Sequence, residues 1–207
     1  MAEENNKHNN VLKKVMSKYL VIKIFEHLKH DKLLKIIQYN KEYQYMMNIN
    51  LEDYKIEFSK IEIEVIPREN EYGKFINIPL LKNIHIFFND NEEEVKKKNI
   101  TKDDKVKKIK IIIDYNIRAL FWFFREFNCI RKIIFINFNK DNITNMYSMF
   151  SHCTSLEEIN FINFNTNNVT NMSELFFDCP LLIELNLSNF NTNKVTNMNK
   201  MFYNCRF

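Results

Sequence analysis

The segment Asn142-Ile-Thr-Asn-Met-Tyr-Ser-Met-Phe150 decides the fold of the C-terminal part of this chain, because the chain repeats it twice. The copies are Asn168-Val-Thr-Asn-Met-Ser-Glu-Leu-Phe176 and Lys194-Val-Thr-Asn-Met-Asn-Lys-Met-Phe202, and each begins 26 residues after the previous one. A fixed period of this length is typical of proteins in which small units stack side by side. The repeats therefore predict a stacked array in which each unit buries the apolar face of its neighbour.

A second pattern lies between these segments. Leu156-x-x-Ile159-x-Phe161-x-x-Phe164 recurs as Leu182-x-x-Leu185-x-Leu187-x-x-Phe190 and, more roughly, as Ile130-x-x-Ile133-x-Phe135-x-x-Phe138. Alternate side chains of a strand point to opposite faces. The alternation therefore predicts short strands whose inward side chains are Ile159, Phe161, Leu185 and Leu187.

The Thr-Asn-Met segments have a different period. Met146, Met149 and Phe150 fall at positions i, i+3 and i+4, which is the spacing of one helical face. Thr144 or Asn145 stands where the cap of such a turn belongs. The predicted fold class is an α/β solenoid, a leucine-rich-repeat-like stack of short parallel strands and helical turns, with an N-terminal helical module.

Across residues 164–190 the chain reads Phe-Asn-Thr-Asn-x-Val-Thr-Asn-Met-x-x-x-Phe-x-x-Cys-x-x-Leu-x-x-Leu-x-Leu-Ser-Asn-Phe. This string resembles the BspA-type leucine-rich repeat, a 26-residue repeat of many bacterial and protist surface proteins, and the resemblance extends over about residues 129–207. It implies a curved solenoid used for protein binding or adhesion, with no catalysis and no cofactor. The last unit is incomplete at Phe207, so we expect a truncated copy, a fragment, or pairing through an uncapped C-terminal end.

The exposed positions of the predicted strands are the candidate protein-binding surface. Equivalent side chains of stacked parallel strands lie about 4.8 Å apart and form ladders from one repeat to the next. The three predicted ladders are Lys132, Glu158 and Glu184; Ile134, Asn160 and Asn186; and Ile136, Ile162 and Ser188. Ile134, Ile136 and Ile162 are apolar at exposed positions, so their corner is the predicted contact patch, unless the N-terminal helices cover it.

The N-terminal region has helical periodicity from about residue 11 to residue 47. The string Leu20-Val-Ile-Lys-Ile-Phe-Glu-His-Leu28, followed by Leu33-Leu34 and Asn40-Lys41, resembles an F-box, the module that docks a substrate receptor onto a ubiquitin-ligase adaptor. That resemblance implies adaptor contacts through four residues: Leu20, Ile24, Phe25 and Leu28. The alternative is a plain helical hairpin that caps the solenoid.

Four segments make up the predicted domain organisation: a disordered tail over 1–10, the helical module over 11–48, a connecting region over 49–106 and the repeats over 107–207. The connecting region is expected to hold one or two edge strands, Ile56-x-Phe58 and Ile61-x-Ile63-x-Val65, and a charged loop. Residues 107–127 are expected to form a degenerate first repeat, with Ile109–Ile113 as its strand.

Several function classes are excluded by composition. The single glycine, Gly73, excludes the glycine-rich loops that cradle phosphates. The formal net charge is only +4, with lysines interleaved among acidic residues, so no nucleic-acid partner is expected. The four cysteines recur in register without close pairs, which predicts buried reduced thiols and no metal site.

No catalytic constellation stands out, since the histidines are scattered and no serine or cysteine lies in a nucleophile motif. We therefore expect that the protein is not an enzyme and binds no cofactor. We also expect no membrane span and, because no signal peptide is recognised, a cytoplasmic location. The predicted function is an intracellular, non-enzymatic scaffold that binds a protein ligand. The alternatives are an F-box-like substrate receptor of a cullin-type ubiquitin ligase and a surface adhesion protein.

Overall fold

A computed structural model describes residues 60–77, 84–113, 119–138, 142–162 and 164–206. All of them belong to the second of the two units into which the chain divides, Ser59–Phe207. These residues form eight strands and one short 3-10 helix, η1 (Lys102–Asp104). The strands are β1 (Ile61–Pro67), β2 (Gly73–Lys74), β3 (Ile84–Phe88), β4 (Asn99–Ile100), β5 (Ile109–Ile113), β6 (Ile130–Asn137), β7 (Glu158–Asn160) and β8 (Glu184–Leu185).

Six of the strands form one mixed sheet in the order β3-β5-β1-β6-β7-β8. The pairs β3–β5, β5–β1 and β1–β6 are antiparallel, whereas β6–β7 and β7–β8 are parallel. The parallel part has the repeat period, since Ile133 pairs with Ile159 and Ile159 pairs with Leu185. The other two strands, β2 and β4, form a separate antiparallel pair.

Strand β1 lies in the middle of this sheet, between β5 and β6. Its residues Ile61, Ile63 and Val65 are fully buried, and they alternate with half-buried glutamates. The prediction of an edge strand at Ile61–Val65 was therefore wrong. Pro67 fits this position because it ends the strand, where its missing N–H costs no ladder hydrogen bond.

The predicted helical turns are also wrong, because the described residues contain no α-helix. In the segment that contains Met146 and Met149, the Met149 N–H donates to the Met146 carbonyl at 3.2 Å, and Ser148 between them has φ +50°. Positive φ at the third residue is the mark of a type II turn. The same position is left-handed in the other units, at Trp122, Glu174 and Lys200.

A left-handed residue stops a right-handed helix, and each unit has a second one four residues later: Glu126, His152, Asp178 and Asn204. The segments instead bond to their neighbours: the Ser148 N–H donates to the Ser173 carbonyl, and the Glu174 N–H to the Asn199 carbonyl. The fold-class prediction of an α/β solenoid is thus contradicted. The described region is almost entirely sheet and turn, with antiparallel strands on one side of the repeats.

The expected degenerate first repeat over 107–127 is only half present. Its turn stacks on the next unit, since Ala119 forms a parallel bridge with Asn145 and the Phe124 N–H donates to the Met149 carbonyl. Its strand, β5, pairs antiparallel with β1 and β3 and does not pair with β6. The strand therefore belongs to the antiparallel half of the sheet.

The core is built from columns of phenylalanine that follow the repeat period. Neighbouring rings of the column Phe124, Phe150, Phe176 and Phe202 are stacked, with centroids 5.5, 5.5 and 5.7 Å apart. Phe138 and Phe164 are stacked at 3.9 Å in a second column. Ile159 and Phe161 are buried in this core, as predicted for the inward strand positions.

Candidate functional site

The outer face of the sheet is the surface turned away from the phenylalanine columns. Because strand side chains alternate, the residues between the buried ones share this face. The antiparallel registers bring Lys110, Glu64 and Ile134 side by side, on β5, β1 and β6 respectively. The parallel register then adds Asn160 on β7, next to Ile134.

The first predicted ladder lies on this face. Lys132 pairs with Glu158, and Glu158 pairs with Glu184, in the parallel register of β6, β7 and β8. The Lys132 Nζ lies 2.7 Å from the Glu158 Oε1, so this cation is neutralised within the sheet. Glu184 is exposed and continues the row with a second carboxylate.

The second and third ladders become less regular toward β8. Ile134 and Asn160 are paired and half-buried, but β8 ends at Leu185. Beyond that point the Asn186 side-chain oxygen accepts the Ser188 backbone N–H at 3.0 Å. Asn186 and Ser188 are therefore exposed residues of a turn and do not extend the strand.

Ile136 and Ile162 form the apolar corner of the outer face. Each lies two residues before a phenylalanine, and those phenylalanines, Phe138 and Phe164, form a parallel bridge. Ile136 is 41% exposed and Ile162 is 48% exposed. Burying a whole isoleucine side chain contributes about 1.5–3 kcal/mol, so covering this pair is a substantial source of binding energy.

A cavity of about 440 Å³ opens on the same face, beside Ile136. Phe87 on β3 and Ile112 on β5 supply its other apolar walls. Glu62, Glu64, Lys108 and Lys110 line it as well, and sequence reasoning did not single them out. The sequence feature that could have identified Glu62 and Lys110 is the alternation in Ile61-x-Ile63 and Ile109-x-Ile111. It places the two charged side chains on the face opposite the isoleucines.

Both lysines of this cavity are paired with acidic side chains, and Glu92 is a further carboxylate on its wall. The Lys110 Nζ lies 2.6 Å from the Glu62 Oε1, and the Lys108 Nζ lies 2.6 Å from the Asp90 Oδ1 and 3.8 Å from the Glu64 Oε2. The hydrogen bond to Asp90, with further help from Glu64, raises the pKa of Lys108 above its ordinary value. The cavity therefore combines two ion-paired lysines and an excess of carboxylates with the apolar side chains of Phe87, Ile112 and Ile136.

Comparison with known proteins gives one similarity. Residues 115–207 are similar to the family described as Mycoplasma protein of unknown function, DUF285. The matched region spans all three Thr-Asn-Met segments but less than half of the chain, and the description assigns no activity. No curated protein and no solved structure matches the chain.

The four cysteines are structural in this geometry. The Sγ atoms of Cys153, Cys179 and Cys205 donate to the carbonyls of Phe124, Phe150 and Phe176, at 2.9, 3.0 and 3.0 Å. Burial raises the pKa of the Cys129 thiol to about 11 and also raises the pKa of the Cys153 thiol. All four are free thiols; Cys129, Cys153 and Cys179 are buried, as predicted, but Cys205 is only half-buried.

Grouped metal ligands and a membrane-spanning helix are both absent from the residues that the structure describes. Within residues 60–77, 84–113, 119–138, 142–162 and 164–206, no three His, Cys, Asp or Glu side chains are grouped to hold a metal ion. The same ranges contain no helix with the length and apolarity needed to cross a bilayer. The candidate adaptor contacts Leu20, Ile24, Phe25 and Leu28 lie outside the described residues, as does the predicted helical module over 11–48.

Proposed function

We propose that this protein is a binding module that holds a protein ligand on the outer face of its sheet. The observation that carries the proposal is the pair Ile136 and Ile162, which are both about half exposed on adjacent repeats. Isolated exposed isoleucines are common, but two neighbours beside an apolar-floored cavity form a contiguous patch.

The surroundings of the patch suit a protein partner. The paired charges Lys110–Glu62 and Lys132–Glu158 lie on the same face, around the isoleucines. A protein interface typically has an apolar centre and a polar rim of this kind. Ile136 lies within β6, where the paired backbone holds its side chain in place, and this lowers the entropy cost of forming the interface.

Substitution on the patch tests the proposal. The double change Ile136→Glu and Ile162→Glu places two charges at the centre of the proposed interface. The control is Ile183→Glu, because Ile183 is 70% exposed and precedes β8, away from the isoleucine corner. Both variants should remain folded, as checked by circular dichroism and thermal unfolding.

Affinity capture from the host's soluble proteins, read by mass spectrometry, then compares the three proteins. We expect a partner that is held by the wild type and by Ile183→Glu and is lost from the double variant. A set of captured proteins that is the same for all three would contradict binding through the outer face.

A further inference from the structure

A second concave surface lies at the other end of β6. It is a groove of about 1230 Å³. Its walls are residues 66–72, the side chains of Arg131 and Glu157, and the loop that contains η1. Arg131 is near the start of β6 and Ile136 is near its end, so the groove and the isoleucine patch are about 17 Å apart along the strand. The two surfaces are therefore separate.

Some of the charged side chains in the groove form ion pairs or hydrogen bonds with other residues of the protein. Arg68 forms ion pairs with Glu71, at 3.8 Å, and with Glu157. The Ser155 hydroxyl also donates to Glu71 at 2.9 Å. Two of the three carboxylates in the groove are thus engaged by the protein, and only Glu69 remains.

Four cations of the groove remain uncompensated: Lys102, Lys105, Lys107 and Arg131. Within the described ranges their side chains make no ion pair and no hydrogen bond. Three of them lie on one short loop, and the fourth, Arg131, lines the same groove. Against the single carboxylate of Glu69 they leave an excess of positive charge, and such an excess in a concave site raises the local concentration of ligands with the opposite charge.

The loop that carries the three lysines is held in place. The Thr101 N–H and hydroxyl donate to the Asp104 Oδ2 at 2.8 and 2.6 Å, and the Lys97 Nζ lies 2.5 Å from the Asp104 Oδ1. After Lys105, the Lys107 backbone N–H donates to the Asn89 side chain at 2.8 Å. Because the loop is already ordered, less entropy is lost when a ligand binds.

The groove also has apolar walls at Ile66, Ile100 and Val106, and Tyr72 at its rim is 43% exposed. Its volume exceeds the roughly 300–1000 Å³ of pockets for small molecules, so it suits a chain segment better than a metabolite. A continuous phosphate backbone suits it less well, because it carries no apolar side chains to cover the walls at Ile66, Ile100 and Val106.

We propose that this groove binds an extended acidic segment of a partner protein, with carboxylates on Lys102, Lys105, Lys107 and Arg131 and apolar side chains on Ile66 and Val106. This interaction is separate from binding on the outer face. It gives the protein a second recognition surface whose affinity depends on charge.

The test uses the full chain and a fluorescein-labelled peptide of repeated Glu-Leu-Asp-Ser units, followed by fluorescence anisotropy. The variant Lys102→Glu with Lys107→Glu is compared with the control Lys194→Glu with Lys200→Glu. Each pair changes the net charge by −4, from +4 to 0, so a difference between them reports position and not total charge. Glu174 occupies the repeat position equivalent to Lys200, which shows that glutamate fits there.

We expect the wild type to bind the peptide, with affinity that falls as salt is added. The groove variant should lose at least about tenfold in affinity and the control less than about twofold. The Ile136→Glu, Ile162→Glu variant should bind the peptide like the wild type, which separates this proposal from the previous one.

Three results would overturn the proposal: no binding of the peptide by the wild type, equal losses in both charge variants, or tighter binding of a single-stranded oligonucleotide that depends on Lys102 and Lys107. The last result would assign the groove to nucleic acid.

Discussion

His152 and Asp178 occupy the same position in adjacent repeats, and the His152 Nδ1 lies 2.9 Å from the Asp178 Oδ2. Both residues have positive φ, at 59° and 56°. Asn204, one repeat further on, donates its side-chain N–H to the other carboxylate oxygen of Asp178. This polar row links the turns of three repeats along one edge of the stack.

The row has a consequence for the pKa of Asp178. The hydrogen bond from His152, followed by the one from Asn204, lowers the pKa of this carboxyl below its ordinary value. We expect the His152→Ser variant to have a higher Asp178 pKa than the wild type, measured by carboxyl-carbon NMR. Ser148 shows that serine adopts positive φ in this fold, so the change should not disturb the turn. An unchanged pKa would mean that the pair is not formed in solution.

Acid should weaken the loop that contains η1. The Lys97 ammonium and the Thr101 donors hold the pKa of Asp104 at about 2, below the ordinary 3.8. A folded-state pKa that is depressed gives stability that is present above the unfolded pKa and is lost as the pH falls toward the folded pKa. Between pH 4 and pH 2, the wild type should therefore lose more unfolding free energy than Asp104→Ala, by about 1 kcal/mol. The unfolding free energies are measured by urea titration at each pH. An equal loss in the wild type and in Asp104→Ala would contradict this prediction.

A glycine substitution distinguishes the observed turns from helical turns. Lys200 is exposed with φ +54°, a conformation that costs about 1 kcal/mol for residues other than glycine. Lys200→Gly should therefore stabilise the protein by about 0.5–1 kcal/mol, and Lys200→Val should destabilise it by at least as much. In a helical turn, glycine would instead destabilise the protein by up to about 1 kcal/mol. The sign of the change in unfolding free energy, measured by chemical denaturation, therefore distinguishes the observed turn from a helical turn.

The phenylalanine column should show a gradient of stability along the stack. Phe176 is fully buried, whereas Phe202 of the same column is 41% exposed. We expect Phe176→Ala to cost about 3–5 kcal/mol of unfolding free energy, and Phe202→Ala less than half as much. Equal costs in chemical denaturation would contradict the packing described above. Phe164→Ala, which removes a ring buried against Phe138, should resemble Phe176→Ala.

Which residues pack inside could be predicted well for the repeats. The 26-residue period places Phe150 and Phe176 in one column, and strand alternation places Ile159 inward; both features depend only on spacing. The turn conformation could not be predicted in the same way. Met146, Met149 and Phe150 satisfy helical spacing and are also buried in the observed turns, so their pattern does not distinguish the two.

Two further features could not be predicted from the sequence: the left-handed turn residues and the central position of β1 in the sheet. Left-handed positions normally contain glycine, but here they contain Trp122, Ser148 and Glu174, so no turn was indicated. The central place of β1 depends on antiparallel pairing with β5 and β6, which lies outside the repeat period. For the same reason the repeats indicated the ladders that start at Lys132 and Ile134, but not Glu62 and Lys110 on the same face.

The most direct test of binding through the outer face is site-specific photo-cross-linking. A benzophenone amino acid is placed at Ile162, on the isoleucine corner, or at Ile183, away from it, and each protein is irradiated with the captured partner. We predict a cross-linked product from position 162 and none from position 183. A product from position 183 alone, or equal products from both, would contradict the assignment of the outer face as the binding surface.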